Sequence, residues 1–203
     1  MTLTSVGNLA DFLEKVGRPD EARPLRLRHI QDGSRRPDVP PLQLRQMALS
    51  CVKLGDYALA ETLLQRVLQQ GFELPSTHLH SARIAVLADR DADAREHVAE
   101  AWQHHAGAPP YVAPRLLFFD VLFALLDGAD ARPALGRLKH ALAPDDAHME
   151  WAMQPVLDHV RPRLADDLHA LLTALVAALS NRTNLTALDA FQAWRDAVPQ
   201  PFD

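Results

Sequence analysis

The sequence predicts an all-α protein assembled from antiparallel helix pairs. Three observations predict it. Apolar residues make up 48% of the chain but aromatics only 6%, and the remainder is mostly Leu, Ala and Val, a mixture that suits helices. Long alternating runs of β-branched or aromatic residues, the mark of strands, are missing. One pattern also recurs along the chain: an apolar helical stretch, a short break, and a second helix that opens on a small residue.

Four segments carry that pattern. The first runs from Asn8 through Gly17 to Leu25. The second runs from Gln46 through Gly55 to Leu64, the third from His80 through Asp89 to Val98. The fourth and weakest runs from Asp120 through Gly128 to Leu138. Ala22, Ala60, Ala94 and Ala134 mark the second helices at spacings of 38, 34 and 40 residues. A small side chain there lets the second helix approach the first closely. Ala10, Ala48 and Ala82 stand twelve residues earlier, as matching small residues on the first helices. Gly17 and Gly55 suit the left-handed cap that ends a helix.

These residues resemble the tetratricopeptide repeat family, whose unit is about 34 residues and two antiparallel helices. Asn8-Leu9-Ala10, Gly17-Arg18, Glu21-Ala22 and Pro24-Leu25 are similar to the kinesin-light-chain-like subgroup. The resemblance covers about residues 4 to 142. It implies a right-handed superhelical array of about four helix pairs with a concave groove lined by the first helices. Two positions depart from the family pattern. His78 stands where Trp is frequent. Arg26 replaces a large apolar residue, which suggests an imperfect N-terminal cap rather than a core position.

Two breaks lie between repeats. Asp32 to Pro41 is rich in turn formers and accounts for the spacing of 38; His105 to Pro110 accounts for that of 40. After Pro144 the repeat signature stops while helical patterning continues. Leu164, Leu168, Leu171, Leu172, Leu175, Val176 and Leu179 form one apolar stripe. Asn181 is expected to end that helix. Thr186 and Asp189 resemble a capping box opening a last helix through Phe191 and Trp194. Residues 1–143 thus read as a repeat array. Residues 144–203 read as a helical cap packed on it within one structural domain, covering the apolar end that such arrays expose.

Bulk charge excludes some partners. The net charge is −5, which gives no general pull toward nucleic acid or anionic membrane. The arginines at 23, 26, 28, 35 and 36, and the later acids Asp145, Asp146, Glu150, Asp166 and Asp167, read as solvated faces and helix starts. The single cysteine, Cys51, leaves no internal disulfide. The first residues lack the basic and apolar regions of a secretory leader, and no apolar run has the length of a membrane span. A cytoplasmic protein is the expectation. The sequons at Asn181 and Asn184 carry no weight without a secretory route.

No catalytic arrangement stands out. Phosphate-binding loops and the G-x-S-x-G elbow are absent. Cys51 lies on an apolar stripe and reads as a small buried hydrophobe. Among ten histidines, the best metal candidate is His97 with Glu100 and His104 at offsets of 3 and 7 on one expected helix face. It lacks a fourth ligand, so no metal, cofactor or enzyme activity is assigned.

The resemblance places a binding groove on the first helices. Asp11, Glu14 and Lys15 come from the first repeat, and Arg45, Leu49, Val52 and Lys53 from the second. Leu79, Arg83, Val86 and Leu87 come from the third, and Phe119 and Phe123 from the fourth. Basic groups beside apolar ones suit a peptide or helix of another protein carrying an acidic group or a free C-terminus. The paired asparagines of the family's chaperone-binding clamp are absent. The expected function is a protein-protein interaction module, an adaptor or scaffold. The alternatives are an accessory or chaperone subunit of a bacterial secretion or pilus-assembly system, and the recognition region of an enzyme. The Ala-, Arg- and Asp-rich composition is compatible with a bacterial source. The C-terminal helices are a second candidate occupant of the groove, and their leucine stripe a route to self-association.

Overall fold

Helices reverse where a residue adopts the left-handed conformation, and the described residues do this in the same way five times, four of them within helix pairs and one between pairs, at Gly71. The computed structural model describes residues 3–142 and 151–180. Among these the regular elements are all helical, and no helix is long and apolar enough to cross a membrane. Two compact units divide the chain, Met1–Ala101 and Trp102–Asp203.

In the first unit the order is α1 (Leu3–Lys15), α2 (Pro19–Ser34), α3 (Pro41–Leu54), α4 (Tyr57–Gln69), α5 (Leu74–Leu87) and most of α6 (Asp91–Gln103). Helix α1 packs on α2 and α3 on α4; α3 also meets α1 and α2, and α4 meets α5. The histidines of α5 and α6 join that pair. The small residues sit where the sequence pattern needs them: Ala10, Ala22, Ala48, Ala60, Ala82 and Ala94 are all fully buried. Asp56 caps α4 by accepting a 3.1 Å hydrogen bond from the Leu59 amide.

The intra-pair turns share one hydrogen-bond design. Arg18 donates its amide to Leu13 at 2.8 Å, Asp56 to Cys51 at 3.0 Å, Arg90 to Ala85 at 2.9 Å and Ala129 to Ala124 at 2.8 Å. In each, the preceding residue has positive φ: Gly17 at 78°, Gly55 at 79°, Asp89 at 58° and Gly128 at 65°. This is the Schellman closure, which satisfies carbonyls left over at a helix end. The third turn achieves it with an aspartate, a residue for which this conformation is strained less than for most.

Helix α2 runs farther than the expected loop allows. It continues through Ser34, so only residues 35–40 separate it from α3. The cause is a cation at its end: the Arg66 guanidinium of α4 donates to the carbonyls of Ser34 and Arg36, both at 2.7 Å. Those bonds satisfy carbonyls that a helix terminus otherwise leaves open.

The second unit contains α7 (Val112–Leu126), α8 (Arg132–Ala141), α9 (Gln154–Val160), a 3-10 turn at Arg161–Arg163 and α10 (Asp166–Ser180). Both α8 and α10 pack on α7. Helix α7 is buried on nearly every side, including Val112, Leu116, Phe118, Phe119, Val121 and Leu122. That is the pattern of a central helix. Of the leucine stripe, Leu171, Leu172, Leu175 and Leu179 are buried. Leu164 lies before α10 in extended backbone, because the helix begins at Asp166. Asp145, Asp146, Asn181 and the helix expected from Thr186 through Phe191 and Trp194 lie outside the described residues.

Candidate partner-binding site

Helix α3 carries the accessible part of the expected groove. Arg45, Leu49, Val52 and Lys53 stand at offsets of 0, 4, 7 and 8, so they share one face. Arg45 donates to Glu73 at 2.6 Å, and its guanidinium lies 5.2 Å from the centre of the Phe72 ring. Leu49 is half-buried between the two basic residues, and Val52 is buried beneath them. Lys53 remains 43% exposed while its Nζ donates to Asp11 at 3.0 Å and to Glu14 at 2.8 Å.

Asp11 and Glu14 thereby belong to a closed charge network, not to an open groove wall. Its centre is Arg26 of α2, only 2% exposed. Nε donates to Glu14 at 2.6 Å, Nη2 to Asp11 at 2.6 Å and Nη1 to the Ser50 hydroxyl at 3.2 Å. Burial raises the Asp11 pKa, but the hydrogen bonds from Arg26 and Lys53 outweigh it and hold the carboxyl below its ordinary value. For Glu14 the Arg26 hydrogen bond lowers the pKa, opposed by burial and aided by Lys53. Burial alone lowers the Arg26 pKa, and its two carboxylates reverse that into a net rise. Arg26 is therefore a core residue, contrary to the cap expected from the sequence. Its apolar stem fills the slot, and two carboxylates spaced i, i+3 on α1 receive its charge. That pairing of Asp11 and Glu14 with a stripe arginine was the available signal. Lys15 is exposed.

The α5 face is closed. Leu79, Arg83, Val86 and Leu87 are all buried. Arg83 is 7% exposed, and its Nε has no hydrogen-bond partner. Burial lowers its pKa, and the Tyr57 phenol opposes this. In the second unit, Phe119 and Phe123 are core residues. Their rings lie 5.9 Å apart, and Phe119 also stands 6.1 Å from Trp151. Beside them Arg115 is buried against the rings of Tyr111 and Trp151, at 4.6 and 5.2 Å, and burial pushes its pKa down to about 10. The expected groove residues therefore separate into an accessible α3 strip, a solvent-excluded α5 strip and two aromatic core residues.

Of the candidate triad His97, Glu100 and His104, only the first two lie on α6, which ends at Gln103. His97 instead places Nδ1 at 3.1 Å from Nδ1 of His78, and burial lowers its pKa. The two imidazole rings lie 5.3 Å apart, tilted at 45°. Among the described residues no group of three or more His, Cys, Asp and Glu is placed to hold a metal ion. His97 also borders a polar cleft of about 460 Å³ with Glu61, Gln65, Arg66 and Asp93. Its charges are matched internally: Arg90 pairs with both Glu61 and Asp93. The Cys51 thiol is buried, and its pKa is pushed up to about 12, chiefly by burial with Asp56 adding. It stays protonated and inert near neutral pH. Set beside known proteins, the sequence matches no family model and no curated relative.

Proposed function

We propose that this chain is a protein-binding module of the tetratricopeptide kind, an adaptor or scaffold. In this reading the helix pairs stack into a right-handed superhelix. The accessible α3 face takes a peptide or helix from another protein. The recurrence of helix pairs with fully buried alanines at matching positions, each closed by the same Schellman turn that also follows α4, supports the reading. Repetition at that level is what makes a quasi-one-dimensional array with an extended binding face.

The α3 strip supplies suitable chemistry. Half-buried Leu49 offers apolar contact, and Arg45 and Lys53 flank it with donors whose acidic partners are themselves on the surface. The test is affinity capture with the whole chain, followed by binding measurements on the purified partner. Leu49→Arg is expected to weaken that binding at least about tenfold, the scale of a lost interface anchor, with helicity unchanged. Wild-type affinity in Leu49→Arg sinks the assignment of this face.

A further inference from the structure

Two large apolar side chains stand exposed at the end of α1: Phe12 is 58% exposed and Val16 50%. They lie one turn apart, and the Val16 amide still bonds back to the Phe12 carbonyl at 3.1 Å, so the helical face continues to that residue. Half-buried Leu9 extends the stripe one turn toward the N-terminus. The later repeats show how such a face is covered. The spacings of 38 and 34 that relate the buried alanines place Ser50 of α3 and Ile84 of α5 at the Phe12 position. They place Met47 and Ser81 at the Leu9 position. All four are buried. On α3 the preceding pair provides cover: α2 packs on it, and Arg26 donates to the Ser50 hydroxyl. In the same order, α4 packs on α5. Among the described residues no helix precedes α1, and its equivalent face lies open.

We propose that the open face of α1 pairs with α1 of a second copy of this chain, antiparallel, in a weak symmetric dimer. The proposal is separate from the partner reading of the α3 strip. A second copy fits because the face is self-complementary, as a two-fold contact requires. Let the axis cross α1 at residue 13. At about 1.5 Å of rise per residue, the two Phe12 side chains then stand about 3 Å apart along the helix, and Val16 lies beside the partner's Leu9. The apolar stripe of one copy thus interdigitates with that of the other. Asp11 and Lys15 are both exposed and lie one turn apart on one flank of that stripe. Antiparallel symmetry sets like flanks together, so Lys15 faces the partner's Asp11, and the ion pair forms twice. Asp11 takes its intrachain donors, Arg26 and Lys53, on Oδ1, and Oδ2 is the atom that accepts Lys15. One helix face against another falls well below the roughly 800 Å² per partner of a stable interface. The dissociation constant is accordingly on the order of 100 micromolar.

Sedimentation equilibrium of the whole chain, from about 5 micromolar to about 1 millimolar, brackets that constant and tests the proposal. A monomer–dimer equilibrium is expected. Phe12→Glu is expected to raise the dissociation constant at least about tenfold. Lys15→Glu, which sets like charges against each other at both ends of the contact, is expected to raise it at least about threefold. Leu42→Glu, at the exposed start of α3, is the control and is expected to leave it unchanged. A wild type that stays monomeric throughout overturns the proposal, whatever other protein α1 then binds. So does a dimer that survives Phe12→Glu, one that is indifferent to Lys15→Glu, or one that Leu42→Glu disrupts as strongly. The wild type and Lys15→Glu decide the matter even if Phe12→Glu fails to fold.

Discussion

Arg26→Ala is the perturbation whose size follows most directly from geometry. The side chain is 3% exposed and makes 2.6 Å contacts to Glu14 and Asp11. A hydrogen bond to a charged group contributes about 1.5–3 kcal/mol when well sequestered. Glu14 is 30% exposed and falls in that range; Asp11 is 52% exposed, and solvent screening reduces its share to about 0.5 kcal/mol. Removal also empties the slot filled by the aliphatic stem and leaves two carboxylates sharing Lys53. The expected loss is about 2–4 kcal/mol. Native-state hydrogen exchange of the α1 and α2 amides measures it locally. A loss below about 0.5 kcal/mol, the scatter of ordinary surface substitutions, would mean that burying Arg26 costs as much as its ion pairs return. Arg26→Met combined with Asp11→Asn and Glu14→Gln is expected to recover most of the loss, since charge and desolvation penalty leave together.

Other outcomes follow from the same structure. Gly55→Ala places a β-carbon at φ 79° with no steric neighbour, so the expected cost is the left-handed penalty alone, about 1–2 kcal/mol; a thermal melt that does not move would contradict it. Because folding lowers the pKa of Asp11 and Glu14, their contribution is full above the ordinary values of 3.8 and 4.5 and is lost as pH falls through the lower folded ones. Exchange from α1 measured across the acid range should accelerate there, and Arg26→Met should flatten the trend. His97 is also held low. The unfolded chain therefore takes up its proton first, and stability drops as pH falls below about 6.5, an effect His97→Gln should remove from the melting curve. With its pKa near 12, Cys51 should react with a thiol reagent at pH 8 only at the rate of local opening; immediate labelling of the native chain would refute its burial.

The helix pairs were legible because their signals are local. Gly17 and Gly55 announce left-handed caps, and the small residues at 10, 22, 48, 60, 82 and 94 mark close helix approach. The third turn was harder, since Asp89 adopts positive φ without being glycine. Arg26 was misread because charge usually signals the surface. Only the folded arrangement shows that α1 turns two carboxylates toward it. The groove positions on α3 and α5 came from the family resemblance, and the burial of Leu79, Arg83, Val86 and Leu87 was not legible, because such a pattern identifies a shared face and not what covers it. Helix α7 defeated face assignment altogether. It is apolar on almost every side, so Phe119 and Phe123 could be aligned to a groove when they belong to a ring cluster.

The claim that this chain binds another protein along the first helices of its pairs is tested most directly by hydrogen exchange on a complex with its captured partner. The account predicts that protection on binding concentrates in residues 41–54, the α3 helix, and spares α4 and most of α6. Protection confined to α4 and α6, or none in α3, would contradict it.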